Sequence, residues 1–312
     1  MRVFVLGGTG AIGGHVISAL VGQGHAVTAL ARTPAKAAVL TAQGATAVSV
    51  SIFDRAALVG VFAGMDAVVN LTSAIPPMPR FLAASAWRDN DRVRTQGSAA
   101  VVEAAIDAGV GRLLQESVAM VYRDQGAGWI DEDMPTELFP RSRANLAAEA
   151  NAHRFTAAGG TGVVLRFGWF YGPGATHSEQ LLALARGHLG VVLGPPEGYV
   201  SSIHVADGAT AVAAALRVPA GTFNVVDDEP LTKREYAAAM AAAVGTELWL
   251  RVPGRAGLLA GDRLTSLTRS LRVSNARLRS ATGWAPRYPS ARQGWIATAQ
   301  QLDHRARGSI AS

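Results

Sequence analysis

Three glycines are the residues whose type and spacing first point to chemistry. The run GGTGAIGG begins at Gly7 and sets Gly7, Gly10 and Gly13 three residues apart. It follows the apolar stretch VFVLG and precedes Ile12, Val16, Leu20 and Val21 at helical spacing. Glycine is needed where a strand turns sharply into a helix and where backbone must approach a pyrophosphate, and the N-terminus of the helix that follows favours negative charge. That strand–turn–helix setting makes the triplet a dinucleotide-binding expectation, with Thr9 and Ile12 inside the same turn. A second clue lies in TALARTPAK, at the end of the next strand. An acid there would accept the ribose hydroxyls of NAD, but Arg32 stands at the tip with Lys36 nearby, which suits the 2′-phosphate of NADP. NADP is therefore expected over NAD. Glu116 closes the run RLLQES at the carboxyl end of a central strand, where open α/β sheets bind ligands; it is either a general base or a cap for neighbouring backbone.

Composition narrows the classes. With 49% hydrophobic and 17% charged residues over 312 positions, the chain can bury a sizeable core and does not read as disordered. It has no cysteine, so disulfides, thiolate metal sites and a cysteine nucleophile are excluded. The seven histidines fall in no HxxxH, HxH or HExxH spacing, and no metal is expected. Net charge is +6, carried almost wholly by arginine, since Lys36 and Lys233 are the only lysines. Nine arginines between Arg251 and Arg292 form no tight run and lack interleaved aromatics, so they read as a solvated basic surface rather than a nucleic-acid site. No charged leader precedes an apolar core, and no apolar run reaches the roughly 18 residues that span a bilayer. A cytoplasmic protein is the expectation.

These residues must be positioned by a larger pattern. VFVLG, HAVTALAR, ATAVSVSI, DAVVNLTS, RLLQES, GVVLRFG and GTFNVVD read as strands, and helical patterns cover about 54–63, 92–109, 142–158 and 207–217 besides the two near the N-terminus. Strands alternating with helices predict an α/β fold with a doubly wound parallel sheet. After residue 170, YGPGATHSEQ and LGPPEGY act as turn-rich breaks, and helices follow at 232–244 and 274–282. Residues 1–170, with segments from about 200–230, are expected to form the dinucleotide-binding domain, and residues 171–312 mainly a smaller substrate-binding lobe.

The ordered series GGTGAIG, SIFDRAAL, DAVVNLTSA, RTQGSAAVVEAAIDAGVGRLLQES, VVLRFGWFYGPG, SSIHVADGATAVAAAL, GTFNVVDDEPLT and RLRSATGWAPRYP resembles the extended or atypical short-chain dehydrogenase/reductase superfamily, which includes NAD(P)-dependent epimerases and dehydratases. The resemblance runs over nearly the whole chain. It implies cofactor contacts from Asp54 near the adenine, from Leu71, Thr72 and Ser73 after the fourth strand, and from Ser117, Phe167 and Trp169. It also implies a serine or threonine four residues before the VY tyrosine, and a YxxxK pair in which the lysine lowers the tyrosine's pKa. Here the matching positions are Val118, Arg141 and Asn145. Four residues after Tyr122, Tyr171, Tyr199, Tyr236 and Tyr288 stand Gly126, Ala175, Ile203, Met240 and Arg292, so no YxxxK exists anywhere. Neither lysine is expected near the site.

Candidates for the missing proton relay are Tyr122, Arg141, Asn145, Glu116 and His177, the last in the loop that lines the family's substrate pocket. Arg141 could hold an oxyanion or an anionic substrate, and histidine titrates near neutral pH. Met78, Phe81, Trp87, Trp169, Phe170 and Tyr171 are expected to form an apolar, aromatic pocket wall suited to flat ligands. The leading expectation is an NADP-dependent oxidoreductase or epimerase-like enzyme for a small apolar or aromatic carbonyl-type metabolite. A non-redox lyase, isomerase or cyclase and a non-catalytic NADP sensor stay open. Family members often pair through two long helices, here about 90–109 and 142–158, and Ala99, Ala100, Val102 and Ala105 give the first a small-residue face suited either to a homodimer or to burial within one chain.

Overall fold

The seven apolar runs become one sheet. In the computed structural model, which describes residues 1–190, 192–251, 261–262 and 264–310, the strands are β1 (Arg2–Leu6), β2 (Ala26–Leu30), β3 (Thr46–Val48), β4 (Ala67–Asn70), β5 (Arg112–Val118), β6 (Thr161–Phe167) and β7 (Gly221–Val225). They pair in parallel in the order β7-β6-β5-β4-β1-β2-β3, with the order reversing beside β1. A ligand crevice belongs at that reversal, outside the carboxyl ends of the strands.

Alternate side chains of β1 feed two cores. Val3 and Val5 pack with Ile17 and Leu20 of α1 (Gly13–Gly22) and with Val212. Phe4 and Leu6 face the other side. There Phe4 meets Phe62 of α3 (Arg55–Phe62) edge to face at 4.9 Å, beside α4 (Ser98–Asp107) and Phe155 of α5 (Arg143–Ala157). Each such buried side chain contributes about 1.5–3 kcal/mol. α2 (Pro34–Ala42), between β2 and β3, starts on a Thr33 cap with proline in its first turn. The predicted helix at 92–109 is broken in kind: a π-helical turn, Val93–Gly97, joins Arg88–Arg92 to α4 and turns Arg94 inward.

The second half is interwoven with the first. After β6, Trp169–Tyr171 pairs with Ser202–His204, and α7 (Val205–Ala215) then leads back to β7 at the sheet edge. The lobe adds α6 (Thr176–Arg186), α8 (Lys233–Ala243), α9 (Ala276–Thr282) and α10 (Ala291–Ile310). α8 opens with a Thr232–Glu235 capping box. Leu182, Tyr236, Met240 and Trp295 form the lobe's core. α6 corrects the reading of YGPGATHSEQ as a turn-rich break: its second half, from Thr176, is helical.

Two surface readings can be placed. Arg269, Arg277, Arg279 and Arg292 pair with Glu137, Asp133, Asp228 and Glu235 at 2.6–2.9 Å, and Arg272 lies 4.2 Å over Trp129. Much of the basic stretch is thus engaged within the chain; Arg255 and Arg263 lie outside the described residues. On the small-residue face of the 90–109 helix, Ala99 and Ala100 are half-buried. Val102 and Ala105 are fully buried in the chain's own core, and the outer side of α4 carries Glu103 between Arg55 and Arg154, each 3.2 Å away.

Candidate active site

The glycine turn is shaped by exclusion. Gly7 has a φ of +84°, and a Cβ on it would stand 2.7 Å from the Leu71 carbonyl oxygen. On Gly13 a Cβ would overlap the Gly7 oxygen and the Gly8 backbone. The Gly10 amide donates to Gly7 O at 2.9 Å and the Gly13 amide to Gly10 O at 3.1 Å, which closes the loop around Thr9. Ile12, buried, stands at the N-cap of α1 without a capping side chain, and the first turn carries no acid. Beyond Gly13, the first-turn amides of α1 are therefore left for an anion, and the geometry fits a dinucleotide pyrophosphate. Arg32 is exposed just beyond β2. Asp54 caps α3 by accepting from the Ala57 amide at 3.1 Å, which occupies one of its carboxylate oxygens. Leu71 lends its carbonyl to the turn, Thr72 bonds Asn70 Oδ1 through its amide (3.2 Å) and hydroxyl (2.6 Å), and Ser73 is exposed.

Two side chains expected at the cofactor face elsewhere. Ser117 is fully buried and its hydroxyl donates to Glu149 at 2.5 Å, while Glu149 is held by Arg166 through Nε (2.9 Å) and Nη2 (2.6 Å). Phe167 is fully buried with its ring 5.0 Å from Phe170, as part of the sheet core.

The proton-relay candidates disperse in the same way. Tyr122 is completely buried and its hydroxyl donates to Asn224 Oδ1 at 2.8 Å. Burial pushes its pKa up to about 12, so it is fixed as a neutral packing residue. Glu116 is tied to Arg94 at 2.8 Å with both side chains buried, a closed ion pair rather than an available base. Arg141 lies with its guanidinium 4.1 Å over the Trp87 ring and Nη2 3.2 Å from Phe81 O. Asn145, buried in the first turn of α5, donates from Nδ2 to Arg141 O at 2.9 Å. Phe81 and Trp87 meet edge to face at 4.9 Å and form a small cluster with Leu264.

A cavity of about 550 Å³ opens between the carboxyl edge of the sheet and the lobe. Ala119, Met120 and Trp169 form its sheet side; His177, Leu181, Tyr199, Tyr236, Met240 and Leu271 are among the lobe residues that enclose it. Of the five relay candidates it contains His177 alone. That residue sits in the first turn of α6, not in a loop, with its ring 5.7 Å from Trp169. Its Nε2 is 2.5 Å from Phe170 O, an acceptor only, so Nε2 carries the proton. Burial lowers its pKa, which leaves a neutral imidazole. Tyr171, expected in the wall, is instead packed in the lobe's core against Trp295 at 5.1 Å. Lys233, expected away from the site, lines the cavity. Sequence spacing carried no signal for it, because the cavity joins α8 to segments 34–40 residues away.

A family model, the NAD dependent epimerase/dehydratase family, matches residues 3–225. The chain belongs to that family and is an enzyme of its NAD(P)-dependent reductase- and epimerase-like class. It is 33% identical to the 3-diazoavenalumate denitrifying reductase of a Streptomyces species, over 94% of this chain and 99% of that protein. It is 28% identical, over 89% and 83%, to the 4-hydroxy-2-methyl-3-oxo-4-farnesyl-3,4-dihydroquinoline-1-oxide ketoreductase of Stigmatella aurantiaca. Human epimerase family protein SDR39U1 with NADPH shares the fold at a TM-score of 0.79 and 22% identity, over 96% of this chain and 99% of that one.

Proposed function

We propose that the chain is an NADP(H)-dependent reductase of small, flat aromatic electrophiles, and that a diazo group is the acceptor its site suits best. The observation that carries this reading is the composition of the proton-relay positions. Val118 has no ionisable group, the Arg141 guanidinium stays protonated, and the Asn145 amide is not an acid. The neutral His177 spends its one ring proton on Phe170 O. Reduction of a ketone leaves an alkoxide that none of these positions is equipped to protonate, and the ammonium of Lys233 in the cavity wall already donates to three backbone carbonyls. An arenediazonium ion makes no such demand.

The cofactor would be held by the Gly7–Gly13 turn and the amides of α1, with Arg32 on the 2′-phosphate. Bound there it supplies a hydride, and an arenediazonium that accepts one becomes the arene and releases N2, so atoms and charge balance with no proton added. What the chain contributes is orientation and exclusion of water: Trp169 and the apolar wall at Leu181, Met240 and Leu271 seat a flat ring in the cavity. The full-length relative named for removing nitrogen from a diazo compound supports this choice of acceptor.

The test is anaerobic mixing of the protein with NADPH and a stable arenediazonium salt, with quinones, enones and ketones in parallel. The expected result is protein-dependent NADPH oxidation with one N2 per turnover, and deuterium from one face of 4-deuterated NADPH in the arene. Turnover of a ketone or enone with no protein-dependent rate on the diazonium would overturn it.

A further inference from the structure

The cavity carries charge of one sign. Lys233 and Arg269 are among its lining residues, and no aspartate or glutamate is. The rest of the wall is apolar or neutral, apart from the neutral His177. Two cationic residues in the wall of a mostly apolar cavity of about 550 Å³ have an unusual setting. Buried charge is ordinarily paired with an opposite charge.

Lys233 meets that condition only in part. Its ammonium donates to three backbone carbonyls, Leu193 O at 2.6 Å, Leu267 O at 2.9 Å and Thr268 O at 2.7 Å. These bonds take up all three ammonium protons, so Lys233 acts on a ligand through its charge. Among the described residues no carboxylate hydrogen-bonds it, although against burial, which lowers its pKa, Asp124 is near enough to raise it. Arg269 follows directly on Thr268, so both cations are fixed to the same stretch of chain. Arg269 is buried with its guanidinium 4.5 Å over Phe139, Nη1 on Tyr122 O at 2.6 Å and Nη2 on Glu137 at 2.8 Å. Glu137 lies outside the cavity wall and is nearly half exposed, so its charge is screened by solvent. A guanidinium offers five donors, and the contacts described use two of its nitrogens.

We infer that Lys233 and Arg269 select a substrate that carries a carboxylate, a zwitterion when the acceptor is a diazonium: an aromatic or conjugated acid whose ring lies along the apolar wall and whose carboxylate, the end away from the diazonium, is drawn to the 266–271 side of the cavity. The inference rests on the proposed reductase reading and adds to it the charge of the molecule. The dipoles that fix Lys233 also preorganise it, since no side chain has to reorganise when the anion arrives. An acid enters a site that already carries its counter-charge; its neutral ester gains only the apolar contacts.

The experiment is equilibrium binding to the full chain, followed by titration calorimetry, with 4-hydroxycinnamate and its methyl ester as paired probes. The acid is expected to bind about tenfold more tightly than the ester, the scale of one well-placed charge contact. R269Q is expected to remove most of that preference while changing ester affinity less than about threefold. K233Q keeps donors for two of the three carbonyls and should act in the same direction; circular dichroism and the ester's unchanged affinity identify a folded variant. Equal binding of acid and ester by the native chain, or a preference that survives in both folded variants, overturns the inference. The two readings fail separately. Acid preference without diazonium reduction sinks the reductase reading alone, and equally fast reduction of diazotised aminocinnamic acid and its ester sinks the charge selection alone.

Discussion

The turn at Gly7–Gly13 and the cavity beneath the lobe lie along the same sheet edge and are built in opposite ways. The turn is made of backbone, and its specificity is a set of missing Cβ atoms: one at Gly13 would collide with Gly7 O. The cavity is made of side chains drawn from far apart in the chain, and no aspartate or glutamate is among them. On the proposed reading, the first arrangement serves one ligand class and the second discriminates among substrates. A single-atom change should therefore destroy function at the turn and only redirect it at the cavity.

The largest expected effect tests the turn. Gly13→Ala should weaken NADPH binding at least about 100-fold, about 2.7 kcal/mol, as read by nucleotide fluorescence in a protein whose circular dichroism is unchanged. An affinity within threefold of native would break the contrast. Next is Arg32→Ser, which should lower affinity for NADPH about tenfold and leave NADH within about twofold, because only the 2′-phosphate distinguishes the two. Equal losses for both would remove Arg32 from phosphate recognition.

A pH titration sharpens the cavity side. Burial lowers the Lys233 pKa to about 8, with Asp124 opposing the shift, so the ammonium loses its proton as pH rises through that value. Arg269 stays charged across the range. Affinity for 4-hydroxycinnamate should fall severalfold between about pH 7 and pH 9, with the fall abolished in K233Q and absent for the methyl ester. The sign follows from charge: only protonated Lys233 attracts the anion. A flat profile for the acid would show that Lys233 is outside its reach. The smallest effect is expected from restoring the missing pair. Arg141→Tyr with Asn145→Lys should raise ketone reduction less than about threefold, because neither position lines the cavity and Val118 still lacks a hydroxyl.

The sheet was legible because its parallel strands are buried on both faces and read as continuous apolar runs, from VFVLG to GTFNVVD. The glycine turn was legible for the same local reason. α6 was not, since its first turn emerges from YGPGAT, where glycine and proline speak for a loop. Tyr122 shows a different limit: spacing locates the residue, but the direction of its hydroxyl is set by Asn224, 102 residues later. Lys233 is the strongest case. A lone lysine opening an alanine-rich helix reads as solvated, and only the close approach of the Leu193 and Thr268 carbonyls makes it part of a cavity wall.

The excursion between β6 and β7 has a consequence for how such a chain diverges. The polypeptide leaves the sheet after Phe167 and returns at Gly221, and on the way it supplies Trp169, His177, Leu181 and Tyr199 to the cavity. Ahead of α7, whose Val212 packs against the sheet, its length and sequence can change without shifting the register of a sheet strand, since lengthening a connection costs little. A duplicated copy could thus acquire a new substrate through this one segment while inheriting its nucleotide turn intact.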